Sequence, residues 1–311
     1  MSSANVLFDA PGPRARRASL IGSIIAGVLI LGAVVWLVFT LAAERQSGGI
    51  TLPGMFDSSR WEALAQQRFW EIVGEGVMAT LAAAAIAAVG AIALGMAFSL
   101  MRSSEIAWVR IPTAWLIEFL RGMPVLLMML FILLVASTGA FWAVVVALVL
   151  YNGTLIGEAL RAGLASLPRG QREAALSVGM GVFQSKILVE FPQAFRQMLP
   201  IIVAQLVVLL KDTSLGYIVG YHELIRSTMN QLSAALGNRY LFTLFAVTLV
   251  IYLVINLSLS WFARWLSRRT SSGYGSSRKA KRAAGDVDPD QAILVAKANA
   301  AARESETNSG R

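Results

Sequence analysis

The reading of this chain turns on GEALRAGLASLPRGQREAALSVGMG (157–181), VEFPQAFRQMLP (189–200) and LLKDTSLGYIVGYHEL (209–224). Long apolar segments lie on both sides of this region. Within 158–190 stand Glu158, Arg161, Arg169, Arg172, Glu173, Lys186 and Glu190, although neighbouring segments run uncharged for long distances. A chain with bilayer-length apolar segments has little reason to keep so polar a loop unless something outside the membrane grips it.

The wider composition supports a bilayer as solvent. The 311 residues are 56% hydrophobic and 14% charged, with mean hydropathy +0.63, against about a quarter charged in ordinary soluble domains. A helix needs roughly 20 apolar residues to cross the hydrocarbon core, and several uncharged runs reach that length. A spanning segment must satisfy its own backbone hydrogen bonds, which favours helices. The alternating pattern of a membrane barrel is absent. There is no cysteine, so disulfides, thiolate chemistry and iron–sulfur ligation are excluded. The net charge of +9 comes from basic residues clustered at span ends, including Arg14, Arg16, Arg17, Arg264, Arg268 and Arg269. The positive-inside bias accounts for them better than a nucleic-acid partner does.

The expected fold is all-α and integral to the membrane, with about six transmembrane helices and short cytoplasmic helices in the central loop. Residues 1–19 form a cytoplasmic tail. Residues 20–43 are a first span, longer than the roughly 7–15-residue core of a signal peptide. Residues 44–69 form an external loop whose Trp61, Phe69 and Trp70 suit an interface. The second span covers 76–101, rich in the small residues that let helices approach closely in lipid. The third starts near Ile111 and includes Glu118, Arg121 and Pro124. Residues 122–157 carry no charge and would make about 54 Å of straight helix, so a break is expected at Ser137-Thr138-Gly139. The fourth span ends near Glu158, the fifth covers 195–210 and the sixth 240–263. Residues 267–311 form a basic cytoplasmic tail, expected to be disordered, in which 292–302 suits a short surface helix. Six spans and two basic ends place both termini in the cytoplasm. Arg45, Arg60 and Arg68 in the external loop fit that topology least well.

Locally, Ser166 and Pro168 suit a helix start, and 171–178 a short helix. Gly179-Met180-Gly181 should stop it, with a second short helix over 182–190 before Pro192. EAALSVG at 173–179 followed by VEFP at 189–192 then resembles the cytoplasmic EAA loop of ABC importer permeases. That pattern reads Glu-Ala-Ala, three residues, Gly, nine residues, Ile-x-Leu-Pro. Glu173, Ala174, Ala175, Gly179 and Pro192 match it; Val189 and Phe191 depart conservatively. GEALRAG at 157–163, RGQREAA at 169–175, FPQAFRQMLP at 191–200 and KDTSL at 211–215 resemble permeases for polar amino acids. RGMP at 121–124 resembles that family's Arg-Gly-Thr-Pro, with Met123 in place of Thr, and Leu155 stands where an aromatic is usual. The resemblance covers about 72–266, so 70–266 is read as the permease domain with its coupling loop at 158–192. The extra first span, LPRGQ and the basic tail look like the glutamate type.

The resemblance implies an importer of two permease subunits, two ABC ATPase subunits and an extracytoplasmic amino-acid-binding protein, in a bacterial cell membrane. This chain has no G-x-x-x-x-G-K-[ST] loop, so ATP belongs to the partner and no cofactor is expected here. Gly170, Gln171, Glu173, Ala174, Ala175 and Gly179 would seat in the ATPase, with Glu173 as the anchoring charge; without the motif, Glu173 reads as a solvated surface acid. Charges within spans are costly and usually face a cavity or a partner. Glu118, Arg121, Lys211 and Asp212, with Thr213, Ser214 and Glu223, are therefore candidates for the substrate path. The competing reading pairs these charges with one another to hold helices. His222 is the single histidine, with no second ligand to complete a zinc set, and Met128, Met129 and Phe131 read as packing. An ion-coupled secondary transporter would show inverted repeats, and none is evident. An aspartyl protease dyad is excluded within the helical core, because Asp212 is the only aspartate between Asp57 and Asp286. A Ser–His pair lacks a G-x-S-x-G. The extra span suggests that the second permease is a different, shorter chain.

Overall fold

The computed structural model describes residues 12–47 and 50–271. The expected tail through Pro11, and the expected disordered tail from 272 with its surface helix at 292–302, lie outside the described residues. In chain order the helices are α1 (Pro13–Ala42), α2 (Gln67–Arg102), α3 (Ala107–Gly122), α4 (Val125–Ala136), α5 (Ala140–Ala165), α6 (Arg169–Ser177), α7 (Val182–Ser185), α8 (Phe191–Asp212), α9 (Leu224–Arg226), α10 (Ser233–Leu236) and α11 (Leu241–Ser271). A short antiparallel ribbon, β1 (Arg45–Ser47) with β2 (Ile50–Leu52), is the exception to an all-α fold among the described residues. Among the described residues, five helical segments are long and apolar enough to cross a membrane, or six if α3 and α4 count as one bent span.

That bend has a local cause. Met123 precedes Pro124, and the proline ring disfavours helical backbone in the residue before it. Met123 is extended (φ −87°, ψ 126°), α3 stops at Gly122, and α4 leaves at 101° to it. The third span is thus broken rather than continuous through Pro124. The turn expected at Ser137-Thr138-Gly139 is where α4 gives way to α5, through Ser137 at φ 48° and Gly139 at φ 79°.

The described residues fall into two compact units, one from those within 79–221 and 252–271, the other from those within 12–78 and 222–251. In the first, α5 is the hub. α3, α4, α8 and the 3-10 turn Thr213–Tyr217 all pack against it, and half of its residues are buried. Its contact with α2 is a backbone approach. A Cβ on Gly95 would lie 2.7 Å from Ile156 Cγ2 and 3.0 Å from the Gly153 carbonyl oxygen; one on Gly157 would lie 3.0 Å from Phe98 Cβ. Small residues do this work in lipid, where neighbouring helices gain little from burying large apolar side chains. Between α5 and α8, Gln205 Nε2 donates to Asn152 Oδ1 at 2.8 Å, and Asn152 Nδ2 donates to the Leu148 carbonyl at 3.0 Å.

In the second unit α1 begins at Pro13, so residues 13–19, expected as tail, form its first turns; proline suits the first helical position. Arg60 is buried, and its Nε and Nη2 donate to the Pro53 carbonyl at 3.1 and 2.8 Å. Its Nη1 donates to the Arg239 carbonyl, while Thr243 Oγ1 donates to the Arg60 carbonyl at 2.7 Å. Phe56 meets Phe242 edge to face at 5.6 Å. These contacts fix the segment ahead of α2 onto the start of α11. They also explain why an arginine stands in that segment: it ties down backbone carbonyls. Asp57 caps the turn Ser58–Arg60, and the hydrogen bonds from the Ser59 hydroxyl and N–H hold its carboxyl below the usual carboxylate value.

Candidate functional site

α5 ends at Ala165, and α6 starts four residues later. α6 closes with paired bonds in which Gly179 N–H reaches the Leu176 carbonyl at 3.0 Å and Met180 N–H reaches the Ala175 carbonyl at 3.2 Å. This ending needs a left-handed residue, and Gly179 supplies it at φ 85°. After the turn, Gln184 Oε1 accepts from Gly181 N–H at 3.1 Å to start α7. The second short helix does not stop before Pro192. Lys186–Glu190 is π-helical, with Phe191 N–H bonded to the Lys186 carbonyl, and the helix runs on as α8. Pro192 has no N–H for the Leu188 carbonyl and its ring crowds it; a wider turn just upstream accommodates both. One 36-residue helical rod results, Val182–Tyr217.

The six residues expected to meet an ATPase therefore share one corner. Gly170, Gln171, Glu173, Ala174 and Gly179 are exposed, and Ala175 is buried at 5% beneath them. Around the corner, Val178 is 76% exposed and Phe183 69%, with Leu176 and Val182 also exposed. These apolar side chains stand uncovered by this chain within an otherwise polar loop. Val178 and Phe183 are additions to the expected set; their signal in the sequence is a pair of large apolar residues flanking Gly-Met-Gly within a charged loop. Gln193 Nε2 donates to Gln171 Oε1 at 3.2 Å, Gln197 Nε2 to Ser166 Oγ at 3.1 Å, and Arg172 pairs with Glu105.

The candidates for a substrate path fall in three places. Glu118 and Arg121 form an ion pair of 3.4 Å one turn apart on α3, with side chains 65% and 38% exposed. Lys211, Asp212, Thr213 and Ser214 lie where α8 passes into its 3-10 turn. Lys211 is exposed, Asp212 and Ser214 are half-buried, and Thr213 is buried with its Oγ1 on the Leu210 carbonyl at 2.7 Å. Glu223 belongs to the other unit, is fully buried, and accepts from Ile225 N–H at 2.9 Å and Arg226 N–H at 2.8 Å, capping α9. Two polar sets stand outside the expected path residues. One is the Asn152–Gln205 amide pair. The other is Glu158, which faces Arg161 at 2.8 Å and Arg102 at 3.8 Å.

Residues 91–272 match the family described as the binding-protein-dependent transport system inner membrane component. The chain is 37% identical over 249 residues to the glutamate transport system permease protein GluD of Corynebacterium glutamicum, covering 77% of this chain and 89% of that one. It is 31% identical over 200 residues to the probable glutamine ABC transporter permease protein GlnP of Bacillus subtilis, covering 63% and 92%. Among solved structures, an amino acid ABC transporter with histidines superposes with TM-score 0.59 at 26% identity, covering 66% of this chain and 97% of that one. The protein belongs to the family of binding-protein-dependent transport system inner membrane components, as a permease subunit that crosses the membrane several times.

Proposed function

We propose that this chain carries a polar amino acid, with glutamate as the favoured substrate, across the bacterial inner membrane in a complex whose ATP is hydrolysed by a separate ABC ATPase subunit. Both termini and the 158–192 segment face the cytoplasm, as the basic residues at span ends favour. Gly170, Gln171, Glu173, Ala174, Ala175 and Gly179 form the part of that segment gripped by the ATPase. The observation that carries this reading is the α6–α7 corner: a short helix closed by a left-handed glycine, with Val178 and Phe183 turned out into solvent. An apolar rim on a charged loop is expected where a partner covers it.

Substrate movement follows alternating access around the spans, and an extracytoplasmic binding protein delivers the amino acid. A carboxylate on the substrate would be met by Arg121 or Lys211, whose charges remain accessible. Thr213, Ser214 and Asp212 supply polar groups beside Lys211, Glu118 stands beside Arg121, and Glu223 serves as a cap whose release would open α9. The second permease is a different, shorter chain; recovery of a single permease species from the intact complex would refute this.

Purification of the assembled complex in detergent tests the core of the reading. Ala174→Arg with Phe183→Asp is expected to leave the permease in the membrane and remove the ATPase from it. Undiminished ATPase recovery would overturn the assignment. Uptake of radiolabelled glutamate, competed by unlabelled glutamate more strongly than by glutamine or arginine, is the expected substrate result.

A further inference from the structure

The turn between α2 and α3, residues 103–106, receives polar contacts from both sides of the α6–α7 corner. From α6, Arg172 pairs with Glu105. From beyond the Gly179 turn, Lys186 Nζ donates to the Ser103 carbonyl at 2.5 Å. Just behind, Arg102 at the end of α2 faces Glu158 of α5 at 3.8 Å. The Lys186 ammonium thus sits at the C-terminal end of α2, where the peptide dipoles present their carbonyls.

The covalent chain leads from the corner only into α5 and α8. α2 and α3 reach it along the backbone only through α4 and α5. Two polar contacts, one from each side of the corner, resist rotation as well as translation, whereas one alone would act as a pivot. Arg172 and Glu105 are 41% and 62% exposed, so their pair adds little to folding stability. The Lys186 contact is charge-assisted and half-buried.

We propose that Lys186, Arg172 and Glu105 are positioning residues that carry movement of the corner into α2 and α3, making the 103–106 turn a second output of the coupling segment. This rests on the coupling reading given above. The reconstituted importer, with its ATPase and binding protein, separates the possibilities. The readout is amino acid taken up per ATP hydrolysed in proteoliposomes, using a mixture of radiolabelled amino acids as probe. Lys186→Met and Glu105→Arg are each expected to lower that ratio about fivefold, the scale of a modest coupling between sites, while the ATPase still co-purifies. Glu105→Arg combined with Arg172→Glu restores a pair of reversed polarity and is expected to recover most of the ratio. A contact that only stabilises the fold would reduce the yield of complex and leave the ratio intact, which would overturn the proposal. Gly179→Val, measured in parallel, tells the two failures apart. If it loses coupling while the Lys186 and Glu105 variants keep it, the relay alone is wrong; if it too keeps coupling and ATPase, the coupling reading is wrong.

Discussion

α4 and α5 pack against one another but are built on opposite plans. Every side chain of α4 is apolar, VLLMMLFILLVA, yet only Met128 and Met129 are buried. α5 carries Asn152, Gly153, Thr154 and Gly157, and half its residues are buried. In water the ranking would be reversed, because burying leucine is what folds a soluble helix. In lipid the surroundings are as apolar as leucine, so α4 loses nothing by facing them. What needs protein is the amide, the hydroxyl and the bare backbone. In this chain the hub helix is marked by small and polar residues rather than by greasiness.

Substitutions ranked by effect sharpen this contrast. Gly95→Leu is expected to be the most damaging, at about 3 kcal/mol of overpacking, because the new side chain must separate α2 from Ile156 and the Gly153 carbonyl. It should appear as the largest fall in unfolding temperature in detergent. Leu148→Ala, at a fully buried position, should cost about 2 kcal/mol, the low end for a core leucine, since the cavity contributes and water exclusion contributes less. Asn152→Leu should cost about 1 kcal/mol by taking the amide partner from Gln205, and a double-mutant cycle with Gln205→Leu should return that coupling. Leu134→Ala, at a position 75% exposed on α4, should change stability by less than about 0.5 kcal/mol. If Leu134→Ala proved as costly as Leu148→Ala, α4 would have a protein partner on that face and the contrast would collapse.

The same contrast explains what could be read from residues alone. Length and absence of charge delimit the apolar segments, and Glu173-Ala174-Ala175 with Gly179 marks the corner before any coordinates. Ser137-Thr138-Gly139 was legible because one helix of that length cannot cross once. The break at Met123 was harder, since hydropathy runs unbroken through 122–136 and only the Gly-x-Pro order betrays it. The first turns of α2 look like loop because Arg68, Glu71 and Glu75 are charged; they are helix that starts before the apolar run does. Continuity past Pro192 depends on a π-helical stretch that has no simple sequence sign. The capping role of Glu223 and the carbonyl bonds of Arg60 come from tertiary placement, which a census of charges does not contain.

The rod Val182–Tyr217 has a mechanical consequence. Its 36 residues give about 54 Å of helix, against a hydrocarbon core of roughly 30 Å. Such a beam is long enough to protrude from the bilayer, and a tilt about a fulcrum near its middle moves its two ends by similar distances in opposite directions. On the proposed coupling role of the corner, an impulse at the Val182 end of a rigid beam would reach Thr213 and Ser214 neither geared down nor amplified. The regular backbone ladder is interrupted at Lys186–Glu190, where the helix is π-helical, and at Pro200, which has no N–H to donate, so the stiffness of this beam is set at those two places.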